Sequence, residues 1–139
     1  TLLDVGVLAE TLETAASWAK LADVKAEVTT ALTEALAASG TKPIVMCHIS
    51  HVYPAGASLY FTVVAALTTA PAAQWAKAKH AASDAIIAAG GTITHHHAVG
   101  MDHKPWLRAE IGELGVAILR AVKATVDPKG ILNPGKLIP

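Results

Sequence analysis

The apolar residues of this chain change their spacing along its length, and that change restricts the fold more than any other feature. Over 17–38, Trp18, Leu21, Val24, Val28, Leu32 and Leu36 recur at intervals of three and four. Over 71–89, Trp75, Ala78, Ala82, Ile86 and Ala89 do much the same. Such intervals gather each set on one side of an α-helix. Elsewhere the interval drops to two. In 58–68, Leu59, Phe61, Val63, Ala65 and Leu67 alternate with Tyr60, Thr62, Val64 and Thr68, the pattern of a strand with one buried face. Segment 44–53, IVMCHISHVY, is β-branched and too short for a helix. The turn Pro54-Ala55-Gly56-Ala57 makes it a hairpin with the strand that follows. Residues 2–10 also alternate, with Leu3, Val5, Val7 and Ala9 on one side and Asp4, Gly6 and Glu10 on the other. Gly40 and Gly90-Gly91 end the two helices, and Pro71 suits the first turn of the second. A short strand, Thr92-Ile93-Thr94, then runs into three consecutive histidines.

The predicted order is strand–helix–strand–strand–helix–strand. This is an α+β, ferredoxin-like βαββαβ fold, an antiparallel sheet with two helices on one face. One further helix over 104–126 follows, with Trp106, Leu107, Ile111, Leu114, Ile118 and Val122 as its expected buried stripe. The remainder, KGILNPGKLIP, reads as an extended tail. The expected division is a ferredoxin-like unit, 1–97, and a C-terminal helix and tail, 98–139. The chain starts at Thr1, without Met and inside an apolar segment, which reads as a cut within a longer polypeptide.

Eleven basic and eleven acidic residues cancel, so there is no basic stripe for nucleic acid or for an anionic membrane. No apolar run approaches the about 20 residues of a membrane span. A single cysteine, Cys47, allows no internal disulfide and suits a reducing compartment. The expected location is cytoplasmic, or peripheral to a membrane, and a homo-oligomer is an open expectation.

With the helices on one side of the sheet, the other side can be read by alternation. It is expected to carry Tyr60, Thr62, His48 and Ser50, with Thr92, Thr94 and His96 from the last strand and Asp4 and Glu10 from the first. Antiparallel sheets often show such a face to water. A phenol near imidazoles is also a suitable acid–base pair, because histidine titrates near neutrality.

Several motifs are more specific. ET-x-x-x-W (Glu13, Thr14, Trp18), GAxxYF (Gly56, Ala57, Tyr60, Phe61), GGTITHHHAVG and Lys104-x-Trp106-Leu107 occur in this order. Together they resemble the C-terminal part of the alkyldihydroxyacetonephosphate synthases and their bacterial relatives, FAD-linked oxidases of the vanillyl-alcohol-oxidase superfamily. The ending DPKGILNPGKL, Asp127 to Leu137, is similar to that of the wider bacterial FAD-linked oxidases. The resemblance implies a cap that closes over a flavin held mainly by the protein's own N-terminal domain, and a small-molecule or lipid-like substrate. It implies that Tyr60 is the active-site acid, that His95, His96 and His97 are the essential histidine run, and that Asn133 approaches the FAD. It also implies exchange of an acyl for an alkyl group on dihydroxyacetone phosphate. The isolated segment would then bind flavin poorly and be inactive. The sequence departs from the synthase pattern HHHGVGK at Ala98 and Met101.

Other readings remain open at this level. An oxidase or dehydrogenase of a 2-hydroxy acid or alcohol fits the same family. A standalone ferredoxin-like binding module, or a metal-binding one, is the alternative outside it. His95-x-His97 offers two ligands, but no carboxylate or cysteine stands at a characteristic spacing beside it, so no metal is expected. His48 and His51 read as hydrogen-bonded strand residues, and the three tryptophans as helix core.

Overall fold

Five of the six elements expected in the first unit form, and the sixth does not. The structure, a computed structural model, describes residues 2–139. The elements are β1 (Val7–Ser17), α1 (Leu21–Ala38), β2 (Ile44–Tyr53), β3 (Gly56–Ala66), α2 (Pro71–Ala89) and α3 (Lys104–Val126), with a short 3₁₀ turn at Leu3–Val5. β3 is the central strand of an antiparallel sheet ordered β1-β3-β2. Its alternate residues Leu59, Phe61, Val63 and Ala65 are buried. They meet Leu21, Val24, Val28, Leu32 and Leu36 from α1 and Ala78, Ala82 and Ile86 from α2. The alanines let α2 lie close, and Gly90, at φ 84°, caps it in the left-handed conformation. Among the described residues no helix is long and apolar enough to cross a membrane.

Four expectations are corrected. β1 begins later than 2–10, and its phase is opposite. Leu3 and Val5 lie in the 3₁₀ turn and are exposed, whereas Leu8 and Leu12 are buried. Gly6, at φ 79°, reverses the chain and accepts the Leu67 amide, so alternation is counted from Val7 onward. Glu10 thereby joins the helix side, where it lines a largely apolar cleft with Trp75, Lys79 and Trp106.

The fourth strand of the ferredoxin-like pattern is absent from the sheet. Thr92 touches β1 through its amide to Ala15 O (2.9 Å) and by accepting the Thr14 hydroxyl (2.6 Å). Beyond it the chain bends. His96 has φ 60°, and the His97 amide donates to His95 O at 2.8 Å, a γ-turn of the strained, positive-φ kind.

α3 has the expected bounds, but its apolar stripe is not covered. Leu107 and Val116 are buried, whereas Leu114 is 75%, Ile118 55% and Val122 54% exposed. Gly112, at φ 71° and ψ 174°, breaks the helix, so a stripe continuous on a straight rod turns away from the body past that point. Trp18 is likewise not core. It stands in the turn before α1, 46% exposed, and its indole N–H donates to Tyr53 O and Pro54 O.

Gly56 pairs with Ser17 at the end of the β1–β3 ladder, and a Cβ there would stand 2.1 Å from Ala16 O. Gly56→Ala must push two backbones apart. We expect a loss of about 1–3 kcal/mol of stability, the range for overpacking, measured as a lower denaturant midpoint.

Candidate active site

The sheet register lays three side chains in one row on the face away from the helices, since Glu13 and His48 each pair with Tyr60. One irregularity then brings in more. Ile49 pairs with Leu59 but Val52 with Ala57, so β2 carries an extra residue at Ser50–His51. Such a bulge reverses the alternation beyond it. Ser50 and His51, adjacent in sequence, therefore both reach one carboxylate. The Ser50 hydroxyl donates to Glu13 Oε1 at 2.7 Å, and His51 Nδ1 lies 3.6 Å from the same oxygen. Tyr53, paired with Gly56, is carried to the Tyr60 face.

The segment after α2 closes over this row. Glu110 of α3 accepts the Thr92 hydroxyl (2.6 Å) and the Ile93 amide (2.8 Å), which ties the segment down. His95 Nδ1 then lies 3.1 Å from Glu13 Oε1, and His97 Nε2 3.2 Å from Oε2. On its far side His95 Nε2 is 3.1 Å from the Tyr53 hydroxyl. His97 stands edge-on to Tyr60, with ring centroids 6.2 Å apart. His96 packs on His95 and His51, at 4.0 and 4.9 Å between centroids.

Glu13 is the electrostatic centre. Its side chain is only 4% exposed. Burial pushes its pKa up, but hydrogen bonds from Ser50, His95 and Ser58, with the His95 charge, outweigh this and hold it below the ordinary 4.5. The group is therefore ionised at neutral pH. Its stabilising contribution is present above the carboxylate range and is lost as the pH falls through the depressed value. His103, at the start of α3, is pushed down by burial and is neutral at pH 7.

The structure thus brings Tyr60, His95 and His97 together, with His96 against them. Thr92 and Thr94 are not part of a strand face, and Glu10 and Asp4 are not in the row. Asn133 sits in the exposed tail at φ 43°. That tail returns to the loop after the histidines, where the Leu137 amide donates to Gly100 O (2.8 Å) and Lys104 Nζ to Gly135 O (3.3 Å). None of the described contacts of Asn133 is with Tyr60 or the histidines. Sequence reasoning missed Glu13, His51 and Tyr53. Glu13 was visible within the ET-x-x-x-W motif, but nothing local announces the bulge. One group among the described residues offers three ligand atoms within 4.8 Å of one another, His51, His95 and His96.

A buried carboxylate touching imidazoles, with two phenols on the same face, is an arrangement capable of acid–base chemistry. The family follows from the sequence as a whole. The model of the FAD linked oxidases, C-terminal domain, matches residues 1–137, and the chain belongs to this family. It is 34% identical to an alkyldihydroxyacetonephosphate synthase of Dictyostelium discoideum over 99% of this chain and 23% of that protein. A solved structure of alkyldihydroxyacetonephosphate synthase superposes with a TM-score of 0.64 at 28% identity, over 98% of this chain and 22% of the other. The glycolate oxidase subunit GlcD of Bacillus subtilis is 46% identical, but over 34% of this chain and 10% of its own length. The chain therefore spans about a quarter of the synthases it matches.

Proposed function

We propose that this chain is the C-terminal, substrate-facing part of a FAD-dependent enzyme that exchanges an acyl for an alkyl group on dihydroxyacetone phosphate. The observation that carries this reading is extent. The synthase likeness runs through nearly the whole chain, including the histidine run and Tyr60, whereas the likeness to the glycolate oxidase subunit covers a third of it.

The residues present fit a flavin bound against the open sheet face. Tyr60 and Thr62 are half-buried there, His48 is exposed and His97 is 43% exposed, so hydrogen-bonding groups meet the site from one side. FAD, held mainly by an N-terminal domain of the same protein, would supply the electron sink at the substrate carbon, with Asn133 of the tail on its side. This chain's own part is proton handling. The incoming alcohol must lose its hydroxyl proton, and an acid must assist the departing acyl oxygen. Tyr60 serves as the acid, and the imidazoles beside it take and hold the proton. The histidines act as carriers, not ligands, because both ring nitrogens of His95 are engaged, Nδ1 with Glu13 and Nε2 with Tyr53.

Full-length enzyme given an acyl-dihydroxyacetone phosphate and a fatty alcohol is expected to exchange them with no change in flavin absorbance. Bleaching of the flavin by a 2-hydroxy acid, without exchange, would overturn this in favour of a dehydrogenase.

A further inference from the structure

We propose that Glu13 is the positioning residue of this site: its two carboxylate oxygens hold His95 and His97 in opposite tautomers. An ionised carboxylate accepts hydrogen bonds and donates none. The ring nitrogens that face it therefore carry the hydrogens. On His95 that is Nδ1, 3.1 Å from Oε1, and on His97 it is Nε2, 3.2 Å from Oε2. When the ring is neutral, the lone pair of His95 is left on Nε2, and the Tyr53 hydroxyl, 3.1 Å away, donates to it. Tyr53, His95 and Glu13 form a hydroxyl–imidazole–carboxylate chain, an order of groups suited to drawing a proton off a hydroxyl. The lone pair of His97 is left on Nδ1, with its ring edge-on to Tyr60. One residue thus leaves two neighbouring imidazoles with their lone pairs on different nitrogens.

Three parts of the fold are needed for this. β1 provides the carboxylate at the position paired with Tyr60. β2 provides Ser50, whose hydroxyl, 2.7 Å from Oε1, orients the carboxylate, and its bulge brings Tyr53 to the same face. The γ-turn at His96 lets His95 and His97 reach one carboxylate. Four titratable groups face Glu13: His95 and His97 from the loop, His51 from β2 at 3.6 Å, and Tyr60 across the β1–β3 ladder. His51 shares its Nδ1 with the Ser50 hydroxyl at 3.3 Å. It fixes neither tautomer.

The tautomer assignment stands on geometry alone, and its effect on turnover rests on the transferase reading above. Two measurements separate them. In full-length protein labelled with 15N at histidine, long-range proton–nitrogen correlations show which ring nitrogen is protonated, with signals assigned through His95→Gln and His97→Gln. The expected wild-type pattern is Nδ1–H on His95 and Nε2–H on His97. Glu13→Asp is expected to keep it. Glu13→Gln, with one accepting oxygen and one donating amide, is expected to reverse one ring. The opposite pattern in the wild type would overturn the assignment, even if Glu13→Gln failed to fold. In the exchange assay, Glu13→Gln is expected to lower kcat by about 10²-fold or more with KM unchanged. The acid limb of its pH profile is expected to move down, because a negative charge beside the imidazoles is gone. Glu13→Asp is expected to recover part of kcat. An unaltered kcat with reversed tautomers would confine Glu13 to organising the rings and remove it from turnover.

Discussion

Tyr60→Phe in the full-length enzyme is expected to lower kcat by about 10²–10⁴-fold, the contribution typical of a positioned acid or base, while FAD stays bound. The substitution is narrow. Phe keeps the ring, its place opposite Glu13 and His48 on β3, and its edge contact with His97. It removes the hydroxyl alone. Flavin absorbance after gel filtration measures occupancy, and product formation measures kcat. Tyr53→Phe is the informative comparison, because Tyr53 is the phenol hydrogen-bonded to an imidazole. Wild-type kcat in Tyr60→Phe, with a large loss in Tyr53→Phe, would transfer the acid role to Tyr53.

The largest expected loss of stability follows from Phe61→Ala. Phe61 is fully buried at the middle of the central strand, among Val24, Val28, Leu32 and Leu36 of α1 and Ala82 and Ile86 of α2. Removing a buried phenyl ring costs about 3–5 kcal/mol, transfer and cavity together. Domains retain about 5–15 kcal/mol in all. The variant is therefore expected to be partly or wholly unfolded at 37 °C. Circular dichroism during urea titration would show this, and an unshifted midpoint would mean that the core lies elsewhere.

The helices and the hairpin could be read directly from spacing. For α1 the buried set Leu21, Val24, Val28, Leu32 and Leu36 is the predicted one without Trp18, because a stripe of large aliphatics leaves one way to pack. The two faces of β3 are likewise as read. What escaped prediction was set by single backbone events. Gly6 and the 3₁₀ turn changed the phase of β1, so Glu13 was assigned no face while Glu10 was given the wrong one. The extra residue in β2 changed phase again and moved Tyr53. The fourth strand looked right in composition, since Ile93 is indeed buried. Yet the residues after it are bent by bonds to a carboxylate about 80 positions earlier. Local pattern carries no trace of a contact that distant. The tail was correctly read as irregular, and the proposed place of Asn133 beside FAD rests on the family resemblance.

The bulge at Ser50–His51 also couples chain length to chemistry. Deleting one residue there would let β2 pair without interruption, and α1, α2 and the buried side of β3 would scarcely notice. Yet with Val52 and Tyr53 still opposite Ala57 and Gly56, only one residue would be left opposite Ser58, and either Ser50 or His51 would be lost from the carboxylate. In this hairpin, tolerance to a change of one residue is a matter of function and not of folding.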